Sequence, residues 1–356
     1  MRIGILTQPL RSNYGGILQN WALQQVLRRL GHDPVTIRYG QYTRRERASM
    51  YMRWLAHQVL HTSGRKNVYK AGKDDYKFAA LADFCRKNIA VTPGKLACTE
   101  RNWNNDGCDA YIVGSDQVWR PCYNREPGQF EAMFGAYLPG DKPVVAYAAS
   151  LGADKWELTP EQTAAAASEI KRFAAISVRE RDAVDLLKEN LGVDSLPVLD
   201  PTLLLEAADY KALIPAEATR RRTLAAYILD RSPEKIARAK EIAARLGLEL
   251  RMAGLSDENG ILPSIESWLA TISEADYVVT DSFHGTVFSI IFHRPFTVLM
   301  NERRGSSRFA TLLDNLGLTG RLSADAHMQP VDWAAVDARL SALRTTSISF
   351  LTDNLK

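Results

Sequence analysis

Short β-branched runs alternate along the chain with stretches of helical period. Arg2 to Thr7 reads as a first strand. Ile17, Leu18, Trp21, Leu23, Val26, Leu27 and Leu30 then recur near helical spacing, and Gly31 stops the helix. Pro34 to Tyr39 reads as a second strand. Further strands fall at Ala110–Gly114, Val144–Ser150 and Ala174–Arg179, the last leading into a helix through Leu187. A strand–helix series of this kind implies a mostly parallel sheet with helices on both faces.

The series pauses at Leu199-Asp200-Pro201-Thr202, and a stretch with two prolines and several charges runs on to about Arg222. A second series follows. Thr223–Leu229, Leu248–Met252, Tyr277–Thr280 and Phe296–Leu299 read as strands, and Pro233–Leu246, Ile265–Ile272 and Thr286–Phe292 as helices. Trp333–Leu343 is a last helix. The expected architecture is α/β: two Rossmann-like, doubly wound domains facing a cleft. The boundaries drawn are 1–205 for the first domain, 206–330 for the second, and 331–356 for a helical tail that packs back on the first.

Composition sharpens this picture in three places. The 356 residues suit about two domains. With 46% hydrophobic and 24% charged residues, disorder, a fibrous protein and a small disulfide scaffold are excluded. Four cysteines without CxxC spacing or a nearby histidine cluster argue for reduced thiols and against zinc, so no metal site is expected. The first residues are too short an apolar run for a signal segment, and no stretch of 18 apolar residues could span a membrane. A cytoplasmic protein is expected.

The formal charge of +4 is too mild for a dedicated nucleic-acid binder. It is also unevenly placed. Residues 41–73 hold eight basic side chains and one acid, so this segment carries +7 and the remainder −3. Tyr51, Trp54, Leu55 and Val59 share one helical face there. An amphipathic basic helix can lie on an anionic membrane, which would place the protein peripherally at the inner face of the plasma membrane. The plainer alternative is a helix packed on its own domain with its charges in solvent.

Five segments could carry chemistry, and most sit where a parallel strand ends, the edge at which such sheets bind ligands. Asn13-Tyr14-Gly15-Gly16-Ile17-Leu18-Gln19 combines glycines, which allow close backbone approach, with a following helix N-terminus that offers N–H groups to an anion or a sugar hydroxyl; a simple tight turn is the alternative. Gly114-Ser115-Asp116-Gln117-Val118-Trp119 ends a buried strand in polar residues. Asp116 could accept from a sugar hydroxyl and Trp119 could stack on a sugar face, or the polar residues merely cap a helix. Arg179 offers a bidentate fork to a carboxylate or phosphate, or pairs with Glu180 or Asp182. Asp281-Ser282-Phe283-His284-Gly285 places a histidine at a strand-to-helix turn, a setting for a general acid or base, with Asp281 either orienting the imidazole or capping the helix. Arg303, Arg304 and Arg308 surround a Gly-Ser-Ser loop that could cradle an anion or lie open to solvent.

Taken in order with Ser177-Val178-Arg179-Glu180 and Asp200-Pro201-Thr202, these segments resemble the polysaccharide pyruvyl transferase family across about Met1 to Leu316. The resemblance implies a glycosyltransferase-B-type enzyme that uses phosphoenolpyruvate to place a pyruvate ketal across two hydroxyls of a sugar. By that resemblance His284 is the general acid and Arg179 a ligand of the donor's carboxylate or phosphate; from its place in the motif, Asp281 is expected to assist the histidine. Arg179, Ser282, Phe283 and Gly285 are at the donor, and Asn13, Tyr14, Gly15, Gln19, Asp116, Gln117 and Trp119 are on the acceptor side, in the first domain. Some members carry Arg-Leu-His-Gly where this chain has Ser282-Phe283-His284-Gly285. Arg308 is the expected source of the missing positive charge. No cofactor is implied beyond phosphoenolpyruvate as co-substrate, and the acceptor is a polysaccharide or lipid-linked saccharide.

The chemistry suits a histidine. The enol carbon C3 must receive a proton, so that a sugar hydroxyl can attack C2. An imidazolium can give that proton near neutral pH, whereas arginines hold phosphate without titrating. A nucleotide-sugar glycosyltransferase of the same fold and a non-catalytic saccharide-binding protein are the competing readings. A nicotinamide dehydrogenase is disfavoured because GxGxxG does not follow the first strand.

Overall fold

The computed structural model describes residues 1–39, 75–96, 98, 107–125, 128–215, 222–300, 307–322, 326 and 329–356. The basic segment 41–73 and the arginines at 303 and 304 lie outside the described residues.

Seven parallel strands form the first sheet: β1 (Arg2–Leu6), β2 (Asp33–Tyr39), β3 (Val91–Leu96), β4 (Ala110–Asp116), β5 (Val144–Ala149), β6 (Phe173–Val178) and β7 (Leu196–Pro197). Their order is β3-β2-β1-β4-β5-β6-β7. Four parallel strands form the second: β8 (Thr223–Tyr227), β9 (Glu249–Met252), β10 (Tyr277–Thr280) and β11 (Phe296–Val298), in the order β11-β10-β8-β9. β4, β5 and β8 are buried along their whole length, as a sheet covered on both faces requires. In the first sheet the direction of winding reverses between β1 and β4; in the second it reverses between β8 and β10. The pairing of Ile3 with Ala110 and Leu6 with Val113 keeps β1 and β4 level, so their following loops leave from one edge.

The helices are α1 (Tyr14–Arg29), α2 (Ala79–Asn88), α3 (Gln129–Met133), α4 (Pro160–Ile170), α5 (Asp182–Leu191), α6 (Ala207–Lys211), α7 (Pro233–Leu246), α8 (Ile265–Glu274), α9 (Phe283–Ile291), α10 (Ser307–Leu316) and α11 (Trp333–Asn354). Local chemistry sets several of their ends. Thr159 and Gln162 form a capping box ahead of α4. Ser232 caps α7 with Pro233 in its first turn, and Gly247 closes it in the left-handed conformation. Two helices start earlier than their apolar spacing predicts. Asn13 occupies the N-cap position of α1, and the Ser282 side chain accepts from the Gly285 N–H at the start of α9. Tyr14-Gly15 and Phe283-His284 are therefore first-turn helical residues rather than loop. α11 runs to Asn354, eleven residues beyond the predicted end.

One continuous apolar core joins the two halves, from Ile3 through Trp21 and Trp268 to Leu355. Helix α1 belongs to the first sheet yet packs on the second. Tyr14 stacks on Trp268 of α8, with ring centroids 5.4 Å apart, and its hydroxyl donates to the Pro263 carbonyl at 2.7 Å. Trp21 packs on Tyr210 of α6, which meets Phe288 of α9. From the other side α10 docks on the first half: Ser307 Oγ donates to Asp182 Oδ2 at 2.6 Å and Arg181 reaches Asn315. α11 lies along the connection after β7, where Ser347 Oγ accepts from Leu199 N and Arg344 donates to the Leu203 and Leu205 carbonyls and pairs with Glu206.

Trp119 corrects the sequence reading. It does not face a sugar. Its ring is fully buried, stacks on Phe134 at 5.3 Å, and donates its Nε1–H to the Met133 carbonyl at 2.9 Å. The chain turns inward after Asp116, so the indole drops into the core beneath β4 instead of the loop edge above it. Trp119→Ala should therefore cost about 3–5 kcal/mol in urea unfolding, as a buried aromatic does. An unchanged unfolding midpoint would contradict this placement.

Candidate active site

The loops at the two reversal points meet in a cleft of about 450 Å³. Asn13, Asp116 and Gln117 line it from the first half, after β1 and β4. Tyr227, Asp281, Ser282, Phe283, His284 and Arg308 line it from the second, after β8 and β10 and at the start of α10. Open α/β sheets bind ligands at this kind of place. Three helix N-termini, those of α1, α9 and α10, converge here, and none has an acidic residue in its first turn. Their unneutralised dipole ends favour an anion.

His284 stands at the centre. It occupies the first turn of α9 and is 6% exposed. A side chain at Gly15 would run into the imidazole, so the first turn of α1 can approach the ring only because that position is glycine. On the other side, His284 Nε2 lies 3.6 Å from Asp200 Oδ2. Asp200 is wholly buried in the connection that follows β7. Its Oδ1 accepts from the Thr202 N–H at 3.0 Å and from Thr202 Oγ1 at 2.6 Å, and its Oδ2 accepts from Arg179 Nη1 at 2.8 Å. Arg179 Nη2 reaches Asp116 Oδ1 at 3.5 Å. A chain of charge thus runs from Asp116 through Arg179 and Asp200 to His284, crossing from the first half to the second.

The ionisation of these groups follows from the pairing. Burial works against the Asp200 carboxylate, but His284, Arg179 and Thr202 outweigh it and hold the group well below the usual carboxylate range. Burial likewise works against Arg179, and Asp200, Asp116 and Glu180 reverse it, so its guanidinium is held above its ordinary value. Arg308 is pushed down to about 10, by burial and then by the like charge of Arg179, and stays protonated at neutral pH. Both guanidiniums lie over the Phe283 ring, Arg179 at 4.8 Å and Arg308 at 5.5 Å from its centroid. The aromatic face stabilises two like charges in one buried neighbourhood.

Several expected site residues have other duties. Asp281 does not orient His284. Its Oδ1 accepts from Leu229 N at 2.6 Å, and its Oδ2 accepts from Asp230 N at 3.1 Å and Lys235 Nζ at 2.7 Å, so it ties down the β8–α7 loop at the cleft wall. Arg179 lies behind Phe283 and not on the cleft surface; it holds Asp200 and Asp116 in place. Tyr14 is consumed by the domain contact, and burial raises its phenol far above the ordinary range. Gln19 is buried, donating to Thr7 Oγ1 and the Gly16 carbonyl beneath the β1–α1 turn. Gly285 lets α9 pass close to Thr280. Glu180 accepts from Ser150 Oγ, Leu151 N and Gly152 N and fixes the loop after β5. Asn13, Asp116, Gln117, Ser282, Phe283, His284 and Arg308 do share the cleft. Asp200 is the residue that motif reading left without a role, although Asp200-Pro201-Thr202 contains its whole local scaffold. Among the described residues, no three His, Cys, Asp or Glu side chains gather so that they could hold a metal ion. No helix among them is long and apolar enough to cross a membrane.

Two doubly wound halves with a cleft at their facing loop edges define a protein of the glycosyltransferase-B type. Solved structures of similar layout include UDP-GlcNAc 2-epimerase from Neisseria meningitidis bound to UDP-GlcNAc (10% identity, 97% of this chain and 99% of that one, TM-score 0.47). A putative UDP-N-acetylglucosamine 2-epimerase from Listeria monocytogenes follows (11% identity, 100% and 98%, TM-score 0.46), as does a spinosyn rhamnosyltransferase (13% identity, 99% and 97%, TM-score 0.42). No curated protein matches the chain. The family model for polysaccharide pyruvyl transferase matches residues 13–303, and the chain belongs to that family. Membership makes it a sugar-modifying transferase.

The Asp200 pairing has a testable consequence for stability. A carboxylate whose folded pKa is depressed contributes stability that is present above the unfolded value of about 4 and is lost as the pH falls toward the folded one. Asp200→Asn should lose about 3–5 kcal/mol near neutral pH, because it leaves the buried Arg179 charge short of a partner. The gap to wild type should narrow as the pH drops below about 4. A gap in urea midpoints that stays constant through that range would contradict the pairing.

Proposed function

We propose that the cleft transfers pyruvate from phosphoenolpyruvate to a saccharide as a ketal, with His284 as general acid. The observation that carries this reading is the presence, in one cleft, of a nearly buried histidine, the protonated Arg308 and helix N-termini free of acidic residues. These are a proton donor and an anion cradle side by side. Asn13, Asp116 and Gln117 on the opposite wall supply hydrogen-bonding groups suited to sugar hydroxyls. The cleft volume of about 450 Å³ accommodates a small dianion beside a sugar ring.

In this scheme His284 protonates C3 of the enol, turning the methylene into a methyl group and leaving C2 cationic. One sugar hydroxyl adds to C2 and gives up its proton, which the imidazole recovers. The C2–O bond to phosphate then breaks, and the second hydroxyl closes the ring as its proton passes to the released phosphate. The products are the cyclic ketal and inorganic phosphate. Arg308 and the dipole ends of α9 and α10 stabilise the charge that builds on the departing phosphate. Arg308 takes the place of the arginine that some members carry at the position of Ser282. The scheme calls on no cofactor, and a lipid-linked saccharide made at a membrane surface is the acceptor class proposed.

Incubation with phosphoenolpyruvate and a panel of glycosides, including lipid-linked ones, tests this. The expected result is release of inorganic phosphate together with a saccharide heavier by one ketal-linked pyruvate. His284→Ala should abolish the transfer. Arg308→Ala should raise the KM for phosphoenolpyruvate at least tenfold, the loss of about 1.4 kcal/mol of binding or more, and leave the acceptor KM unchanged. Near-normal turnover of His284→Ala, or thermal stabilisation by nucleotide sugars but not by phosphoenolpyruvate, would overturn the proposal.

A further inference from the structure

His284 needs a device that sets which nitrogen holds the proton and keeps the ring charged until it is used. The first turn of a helix is a poor place for a cation, because the positive end of the α9 dipole opposes it. Arg308 and Arg179 oppose it as well. Three acids stand around the cleft and its histidine: Asp200 opposite the ring, from the connection after β7, and Asp116 at the end of β4 and Asp281 just after β10 on the cleft wall. Asp281 is taken up by Leu229, Asp230 and Lys235, and Asp116 bonds to the Gln117 N–H and faces Arg179. Asp200 is different. Thr202 saturates its Oδ1, and its Oδ2 points between Arg179 Nη1 and His284 Nε2.

His284 Nε2 is buried and has no hydrogen-bond partner within 3.5 Å. The carboxylate opposite it, at 3.6 Å, is just beyond hydrogen-bond reach. Catalytic hydrogen bonds of this kind are often long in an empty site and tighten when substrate is bound. The Nδ1 edge of the same ring packs against the first turn of α1 at Gly15, where an added Cβ would collide with it. The two edges of the imidazole are therefore unequal. One looks into a buried carboxylate that belongs to the first half of the molecule; the other lies against glycine backbone at the reversal point, in a ring that lines the cleft.

We propose that Asp200 is the positioning residue of His284, claiming Nε2–H and leaving Nδ1 as the nitrogen that gives and recovers the proton. The catalytic consequence rests on the reading of His284 as the general acid; the tautomer and the pairing do not. In the neutral ring Nε2 carries the hydrogen and donates to Asp200 Oδ2, while Nδ1 holds the lone pair. Protonation occurs at Nδ1, and Asp200 stabilises the imidazolium across the ring. Transfer of the Nδ1 proton to C3 of the donor returns the neutral tautomer, which then accepts a hydroxyl proton at Nδ1. Asp200 remains ionised throughout because Arg179 and Thr202 hold it so. Only when both halves of the chain are docked do acid and counter-ion meet.

Nitrogen-15 NMR of the imidazoles reads this directly, without donor or acceptor. The chain has six histidines, and the signals of His284 are those lost in His284→Gln. In the wild type, the neutral form of His284 should be the Nε2–H tautomer. In Asp200→Asn the preference for the Nε2–H tautomer should be lost, because the charge that holds that hydrogen is gone. A wild-type ring with hydrogen on Nδ1 overturns the proposal, and so does an unchanged tautomer preference in the variant. If Asp200→Asn fails to fold, the wild-type tautomer decides alone. Should His284 behave as proposed while phosphoenolpyruvate is not consumed, the pairing stands and the pyruvyl-transfer reading falls.

Discussion

A single buried carboxylate organises this molecule. Asp200 sits in the connection that leaves the first sheet, accepts a hydrogen bond from Arg179 of that sheet and faces His284 of the second. Burying such charges is costly, and a buried ion pair by itself is weak grounds for stability. Its value here lies in what it fixes. Once Arg179 is held, Asp116 has a charged neighbour, Phe283 has a guanidinium on its face, and Arg308 can approach the same ring. Removing the carboxylate would leave a cluster of cations with little to offset them.

The two reversal points explain why the cleft lies where it does. A parallel sheet that changes winding direction parts two loops at its carboxyl edge, and each half of this chain does so once. Tyr14 and Trp268 hold the two edges face to face through a stacked pair supported by one hydrogen bond to Pro263. The helices that start at these edges have no acidic side chain in their first turns, a setting that favours an anion with few arginines. That economy suits a chain with Ser282 where some members of the family carry arginine.

Much of this was readable from residues alone. The alternation of strands and helices, the pause near Asp200-Pro201-Thr202, and the polar residues at strand ends all follow from periodicity and turn chemistry. What was not readable depends on tertiary direction. β3 contains Pro93 and Gly94, which look like a turn, yet an edge strand tolerates proline because one side of its backbone is unpaired. Trp119 follows Asp116 by three residues, and nothing in that spacing tells an indole in the core from one in a cleft. Asp281 is three residues before His284 and suggests itself as its partner, but the turn of α9 carries the two side chains apart. Asp200 is 84 positions away in sequence, and only the docking of the two halves brings it to the imidazole.

The proposed chemistry turns on one step, the delivery of a proton from His284 to the enol carbon of phosphoenolpyruvate. Running the transfer in deuterium oxide and weighing the product tests this most directly. Protonation at C3 by an exchangeable group places a single deuterium in the new methyl group of each ketal. A methyl group without deuterium, in a product that forms at the normal rate, would contradict it.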